Sequence, residues 1–230
     1  AFGIDLPSDH SDRYAMAQEW FDYIQKLWTA DTAFDWNGDF YQGKGVYSLP
    51  HPVQPKMPII NAAGSEEGRV FAMRNADFLF TPVFDFDQAK ATVADITERA
   101  ASVKRKVDVL TLCTVVCRPT QQEADDYLNW YSEEQADWGA VDNLMTLQGM
   151  HAQSFTPEAL ALYRDRMAAG HGGFPLVGTP DTIADLLEKL SETGIAGTTL
   201  AFVDYAKEFP YFRQEVLPRL EARGLRQPAN

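Results

Sequence analysis

The sequence predicts an α/β protein built on a parallel sheet, and two features of the chain indicate this class. Short, almost continuously apolar segments alternate with longer segments whose apolar residues recur every three or four positions. Strands that are apolar throughout are buried on both faces, which is typical of parallel β/α units. With 230 residues, 45% of them hydrophobic, the chain has enough apolar material for one large domain, predicted to span 1–230.

The predicted elements follow one another along the chain. An apolar stripe from Tyr14 to Trp28 predicts a helix over 11–30, and residues 31–56, with several Gly and Pro and alternating aromatic positions, favour a short hairpin. Strands are predicted at 57–62, 77–82, 107–117 and 198–203. Further helices are predicted at 65–75, 86–104, 120–138, 157–169, 179–192 and 208–223. The region 140–174 is otherwise less regular, so 31–56 and 140–174 are interpreted as insertions.

Four strand–helix units leave two architectures open. Because parallel crossovers are right-handed, the units form either an open doubly wound sheet or part of a β/α barrel. A complete barrel typically needs about 250 residues and eight strands. The chain is too short for that once its insertions are subtracted, so it is either not a barrel or not all of one.

Composition and charge exclude several classes of function. A formal net charge of −13 argues against nucleic-acid binding, which relies on Lys and Arg to neutralise phosphates. No apolar run is long enough to span a membrane. The four histidines are far apart and form no metal-ligand spacing. Cys113 and Cys117 lie in one apolar strand, too far apart for a disulfide, which favours reduced core thiols in a cytoplasmic protein.

The turn Ala62–Ser65 joins a predicted strand to a predicted helix, and two interpretations of it remain open. Ser65 is either an ordinary N-cap, with Glu66 and Glu67 interacting favourably with the helix dipole, or part of an anion site. Free amide groups at a helix start attract an anion, and the small residues allow close approach. The two glutamates would repel a phosphate unless they point away.

Several segments together resemble the bacterial luciferase-like family of flavin-dependent monooxygenases. HSDRYAMAQEWFDYIQKLW, followed by FDWNGDFYQ, is similar to the family's Arg-Tyr helix and the fold-back after it. PIINAAGSEEGRVFAMRNADFLF resembles the fifth barrel strand and the next helix. FPLVGTPDTIADLLEKLSETGIAGTTLAFVDY and FPYFRQEVLPRLEARGL resemble the last unit. The pyrimidine, alkanesulfonate and sulfone monooxygenases are the most similar branches.

The resemblance implies a (β/α)8 TIM barrel with FMN at the carboxyl ends of the strands. Arg13 and Tyr14 correspond to the family's Arg-Tyr pair near the flavin phosphate, and Gly64 and Ser65 to its phosphate-binding turn. It further implies a monooxygenase that uses reduced FMN and O2, with the flavin supplied by a separate reductase. A homodimer or tetramer is expected, acting on a ring amide, sulfonate or sulfone.

One departure from the family pattern leaves alternatives open. The chain begins where the fourth barrel strand of the family has just ended, so the first four strands are expected to be missing from it. We therefore expect a fragment, or a half that another copy or partner completes. A deazaflavin-dependent oxidoreductase of the same fold and a non-catalytic or truncated partner subunit are the alternative functions.

Two residues are predicted to be catalytic, each with a structural alternative. His171, between glycines, falls where the family places a mobile loop that closes over the flavin, but it is equally consistent with an exposed loop histidine. His151 is a weaker candidate of the same kind. Asn61 ends a strand, where barrel enzymes keep their chemistry, although Asn is also common in structural turns. Asp204 is expected to be a helix cap.

Overall fold

A computed structural model of the chain describes residues 9–149 and 157–228. In chain order its elements are α1 (His10–Thr29), β1 (Phe34–Asn37), β2 (Gln42–Val46), β3 (Ile60–Ala62), α2 (Glu66–Asn75), β4 (Phe78–Phe80), α3 (Phe86–Ser102), β5 (Asp108–Cys117), α4 (Gln121–Asn129), a π-helical turn (Trp130–Glu134), α5 (Trp138–Leu147), α6 (Pro157–Gly170), β6 (Phe174–Gly178), α7 (Pro180–Glu192), β7 (Gly197–Ala201), α8 (Tyr205–Glu215) and α9 (Leu217–Ala222).

Five strands form one parallel sheet centred on β5. Leu110 pairs with β4 on one edge and with β7 on the other, whereas Cys113 pairs with β6 and β7. β4 and β6 therefore share one edge of β5, with β6 further along the strand, and β7 occupies the opposite edge. β3 extends the sheet beyond β4. Within the described residues β3 and β7 each keep one unpaired edge, so the strands form part of a barrel wall without closing it.

The two faces of the sheet differ in burial. Parallel partners in register point their side chains to the same face, and Leu79 and Val109, which pair with each other, are both almost fully buried against helices. Cys113 belongs to the same core, and both cysteines are buried free thiols, as predicted. On the opposite face Ile60 is 59% exposed. This second face corresponds to the lumen side of a barrel wall.

The predicted hairpin at 31–56 is confirmed as the antiparallel pair β1–β2. It is held on α1 by one carboxylate, because Glu19 accepts hydrogen bonds from the Trp36 indole N–H (3.1 Å) and from the amides of Phe40 (2.9 Å) and Tyr41 (2.8 Å). This sequence segment is therefore an appendage of the first helix, separate from the parallel sheet.

Most predicted elements are confirmed within a few residues, and the differences have local causes. The strand predicted at 57–62 contains only Ile60–Ala62, since Pro58 has no amide to donate to a ladder. The helix predicted at 120–138 ends at Asn129 in a π-turn, where the Ser132 hydroxyl donates to the Leu128 carbonyl (2.8 Å).

Two elements were missed, β6 and α5, the second of which extends into the region 140–174 that was predicted to be less regular, and one helix prediction was wrong. β6 was not predicted, because Pro175 and Gly178 resemble a loop, but Pro is tolerated in this strand since only one of its edges is paired. The single helix predicted over 208–223 is two helices, α8 and α9. Pro218 lies in the first turn of α9 and cannot continue α8, which ends before Val216.

Candidate active site

The turn between β3 and α2 is open to its surroundings. The Ala63 amide donates to the Phe80 carbonyl (3.3 Å) and thereby ends the pairing with β4. Gly64 is exposed, and a Cβ built on it would meet no atom within 4 Å. Among the described residues no acceptor takes the amide hydrogens of Gly64 and Ser65. The turn therefore presents free donors at the start of a ten-residue helix.

Ser65 is the N-cap of α2. Its Oγ accepts a hydrogen bond from the Gly68 amide (3.2 Å), which confirms the capping interpretation. A hydroxyl can accept one hydrogen bond and donate another, so capping does not use up the Ser65 O–H. The anion-binding role of Ser65 is compatible with the cap and remains a prediction.

Tyr14 reaches the same helix start from α1. A Cβ at Gly68 would lie 2.5 Å from the Tyr14 hydroxyl oxygen and 2.7 Å from the Ala63 Cβ. The Tyr14 ring also packs on Phe71, with ring centroids 6.1 Å apart. The buried Gly68 therefore makes room for the tyrosine hydroxyl directly over the first turn of α2.

Arg13 lies in the first turn of α1, where its amide donates to the Asp9 carbonyl (3.2 Å), and its side chain is exposed. Successive helical residues point about 100° apart, so Arg13 and Tyr14 leave α1 in different directions. The contacts described above bring Tyr14 to the Ser65 turn. A cofactor-binding role for Arg13 remains a prediction.

The two glutamates after Ser65 have different surroundings. The Glu66 carboxylate accepts from both Nη atoms of Arg99 on α3 (3.1 Å for Nη1), and this hydrogen bonding lowers the pKa of the Glu66 carboxyl. Glu67 lines a cleft of ≈ 640 Å³ between α1 and α2. Both side chains are exposed, and the Glu66 carboxylate forms an ion pair with Arg99 on α3.

Asn61 occupies a position that does not favour catalysis. It pairs in register with Leu79, so its side chain points to the helix-covered face, away from the lumen side. Its Oδ1 is buried and has no hydrogen-bond partner among the described residues. The catalytic role predicted for Asn61 remains a prediction, and this register gives it no support.

His171 lies in a tightly bonded turn between α6 and β6. Its φ of 56° is in the left-handed region, and its side chain is exposed. Its amide donates to the Met167 carbonyl (3.2 Å), and the Gly170 carbonyl accepts from the Thr114 hydroxyl (3.1 Å). The described part of the predicted mobile segment is thus a helix and a bonded turn. His151 lies outside the described residues.

The topology brings the two candidate turns to the same end of the sheet. β4 pairs with β5 up to Leu110, and β6 begins on the same edge of β5 at Cys113. The turn Gly170–Gly173, just before β6, therefore lies beyond the carboxyl end of β4. β3, which carries the Ala62–Ser65 turn, is the neighbouring strand. The amides of Gly64 and Ser65, the Tyr14 hydroxyl and the turn that carries His171 consequently lie at the carboxyl ends of the adjacent strands β3 and β4.

Three residues at this end were missed in the sequence: Gly68, Thr114 and Arg166. Gly68 carried a usable signal, since a glycine in the first turn of a predicted helix indicates close approach of another group. Thr114 and Arg166 act through contacts 56 and 83 positions away in the chain, which no local pattern reveals. At the neighbouring strand end Asp204 caps α8 by accepting from the Lys207 amide (3.2 Å), as expected.

Two kinds of feature are absent from the described ranges 9–149 and 157–228. No cluster of three or more His, Cys, Asp or Glu side chains has a geometry that could hold a metal ion. No helix in these ranges combines the length and apolarity that crossing a bilayer requires.

Parallel strands covered by helices, with an open turn at the carboxyl end of β3, are typical of proteins built from β/α units. Comparison with known proteins narrows this class. The family model for luciferase-like monooxygenases matches residues 1–197. The chain belongs to this family.

Individual relatives agree with the family assignment. The chain is 29% identical over 223 residues to an FMNH2-dependent dimethylsulfone monooxygenase of Pseudomonas putida, covering 91% of this chain and 59% of the relative. It is 27% identical over 278 residues to a dimethyl-sulfide monooxygenase of Hyphomicrobium sulfonivorans, covering 98% and 58%. The crystal structure of the long-chain alkane monooxygenase LadA superposes with a TM-score of 0.80 at 25% identity, covering 100% of this chain and 61% of LadA.

The chain thus spans about three-fifths of the length of the relatives it matches. The predicted fold class, an α/β fold of the luciferase-like TIM-barrel type, is confirmed by the family match and by the parallel sheet. The division into a single domain over 1–230 remains a prediction.

Proposed function

We propose that the protein acts as a flavin-dependent monooxygenase that uses reduced FMN and O2 to oxygenate a small organic substrate. The observation that carries the proposal is the open turn Gly64–Ser65 with the Tyr14 hydroxyl over the first turn of α2. Membership of the luciferase-like family and similarity to relatives named as FMNH2-dependent support the choice of cofactor.

The residues at this turn fit a phosphate group. The free amides of Gly64 and Ser65 lie at the positive end of α2, and Gly64 offers no side chain that would block approach. The Ser65 and Tyr14 hydroxyls would supply further donors, with Arg13 as an additional cation on α1. Arg99 forms an ion pair with the Glu66 carboxylate, which reduces the repulsion between this carboxylate and an anion.

Roles in the reaction follow from position. Reduced FMN, when bound, supplies the electrons for oxygen activation. In our proposal His171 acts at the substrate end, because its exposed side chain stands on a fixed turn beside the carboxyl end of β4. Asn61 is kept in the proposal as a second catalytic candidate. It is the weaker of the two, because its register points its side chain away from the lumen side. A separate flavin reductase and a homodimeric or tetrameric assembly are part of the proposal.

The substrate is proposed by class. Relatives named for dimethylsulfone and dimethyl sulfide favour a sulfone-type substrate over a ring amide or a sulfonate. The relatives named for FMNH2 also favour FMN over a deazaflavin.

The experiment combines binding and turnover on the purified protein. We expect reduced and oxidised FMN to bind in a fluorescence titration, and a reductase-coupled assay to yield oxygenated product from a dialkyl sulfone. A protein that binds neither FMN nor a deazaflavin would contradict the proposal and favour a non-catalytic partner subunit. If the protein binds only the deazaflavin and transfers hydride with it, the deazaflavin takes the place of FMN as the proposed cofactor.

A further inference from the structure

A half-buried arginine on α6 has no role in the function proposed above. Arg166 forms no salt bridge with any carboxylate of the residues that the structure describes. Burial lowers the pKa of its guanidinium, and the charge of Asp85 offsets only part of this effect. Its Nε is buried and has no hydrogen-bond partner among the described residues. Removing a cation from water is costly unless other groups compensate for it, so the surroundings of Arg166 need an explanation.

The guanidinium donates hydrogen bonds to the loop that follows β4. Its Nη1 donates to the Val83 carbonyl (3.2 Å) and its Nη2 to the Phe84 carbonyl (2.7 Å). The guanidinium carbon also lies 5.8 Å from the Phe84 ring centroid and 5.7 Å from that of Phe174. Two consecutive carbonyls match the planar fork of an arginine, which a lysine ammonium lacks.

The backbone of the same residue holds the turn that carries His171. The Arg166 carbonyl accepts from the Gly172 amide (3.0 Å), and the neighbouring Met167 carbonyl accepts from the His171 amide (3.2 Å). Arg166 thus bonds through its side chain to the loop after β4 and through its backbone to the Gly170–Gly173 turn. These two segments meet at the carboxyl end of β4, where the proposed active site lies.

Packing alone would not need an arginine here. An apolar side chain of similar length would fill the space between Phe84 and Phe174 without the cost of burying a charge, but it would leave the Val83 and Phe84 carbonyls without these donors. The contacts that Arg166 makes are therefore directional, and their direction joins two loops at one strand end.

We propose that Arg166 is a positioning residue of the active site, which fixes the Val83–Phe84 loop against the Gly170–Gly173 turn and so sets the place of His171. This inference rests on the proposed function, because His171 is catalytic only within it.

The test compares Arg166→Met and Arg166→Lys with a matched control on the same helix. Arg164→Met removes an arginine two residues away, whose guanidinium binds the exposed Asp142 and lies 4.1 Å from the Trp138 ring centroid. Hydrogen exchange of peptides covering 83–86 and 170–174 is measured first. We expect exchange to rise about tenfold in Arg166→Met and not in Arg164→Met, since only the former opens the two loops locally.

Turnover provides the second measurement. Arg166→Met is expected to lower kcat by about tenfold or more while the Kd for FMN changes little, with Arg166→Lys intermediate. In a His171→Ala background the same substitution should have almost no further effect on kcat, because the residue it positions is gone.

Unchanged exchange in Arg166→Met, or an equal loss of kcat with and without His171, would overturn the inference. If the unaltered protein oxygenates no substrate, the proposed function fails instead, and the exchange experiment still decides whether Arg166 joins the two loops.

Discussion

Two turns at the carboxyl end of the sheet are built in opposite ways. In the turn Ala62–Ser65 the backbone amides of Gly64 and Ser65 donate to no acceptor in the described part of the chain, and Gly64 faces open space. In the turn Gly170–Gly173 the backbone is bonded at almost every position, and a Cβ on Gly173 would come within 2.6 Å of the Thr114 hydroxyl. The first turn offers backbone groups to a ligand, whereas the second uses its backbone internally and offers only the His171 side chain.

This difference indicates that the first turn serves to bind a ligand and the second to position a side chain. Free amides at a helix start can bind an anion without any specific side chain, so small residues suffice there. A side chain that acts on a substrate must be held in place, so the turn beneath it needs fixed bonds. The comparison predicts that substitutions in the first turn change cofactor affinity, and that substitutions in the second change turnover.

The largest effect is expected for Gly68→Val in α2. The new side chain would overlap the Tyr14 hydroxyl and the Ala63 Cβ, so the free energy of unfolding should fall by about 1–3 kcal/mol. Chemical denaturation measures this loss, and FMN titration should show weaker binding because Tyr14 is displaced.

Gly64→Ala is the matched control, because its Cβ meets open space and its stability should change by less than about 0.5 kcal/mol. Equal stability of the Gly68→Val protein and the unaltered protein would contradict the close approach of Tyr14.

The second effect concerns the other turn. Thr114→Val keeps the volume of a buried side chain but removes the donor to the Gly170 carbonyl, which should cost about 1–2 kcal/mol of stability. Because Gly170 precedes His171, kcat should fall while FMN affinity is preserved. Thr114→Ser retains the hydroxyl and should restore most of both. A Thr114→Val protein that loses FMN affinity instead would break the distinction between the two turns.

Much of the fold was predictable because its signals are local. The apolar run around β5 and the three-to-four periodicity of α3 and α7 identified strands and helices directly. β6 was not predicted because its signal is not local. It is a strand only because β5 extends beyond β4 and offers an unpaired edge from Cys113 to Cys117. Strand pairing of this kind depends on the lengths of neighbouring strands, which single segments do not encode.

The candidate site likewise contains residues that local sequence patterns reveal and residues that they do not. The Ala62–Ser65 turn was visible, since small residues before a helix with acidic residues in its first turn form a sequence pattern. The side-chain direction of Asn61 was not, because it depends on the register with Leu79. Arg166 was invisible for a related reason: its partners, Val83 and Phe84, are brought to it by the whole sheet.

Ser65→Ala gives the third effect and tests the two interpretations of this residue together. Loss of the cap to the Gly68 amide should reduce stability by about 1 kcal/mol, and loss of one hydroxyl should weaken FMN binding by about 1 kcal/mol. Thr179→Ala, which removes the cap of α7, should give a similar stability loss without a change in FMN affinity. If both variants bind FMN as the unaltered protein does, Ser65 is only a cap.

The smallest effect is expected at Arg99, which forms an ion pair with the Glu66 carboxylate. In Arg99→Met the Glu66 carboxylate, one residue after Ser65, loses its cationic partner, and its charge repels an anionic ligand at the turn. FMN affinity should fall by no more than about twofold, since exposed charges are screened by salt.

The double variant Arg99→Met with Glu66→Gln separates this explanation from a structural one. If the released charge is the cause, removing it should return FMN affinity to that of the unaltered protein, and raising the salt concentration should shrink the loss in the single variant. A loss of FMN affinity that persists in the double variant at every salt concentration would show that Arg99 acts on the turn by packing. The electrostatic explanation of the difference between the open turn and the bonded turn would then be wrong.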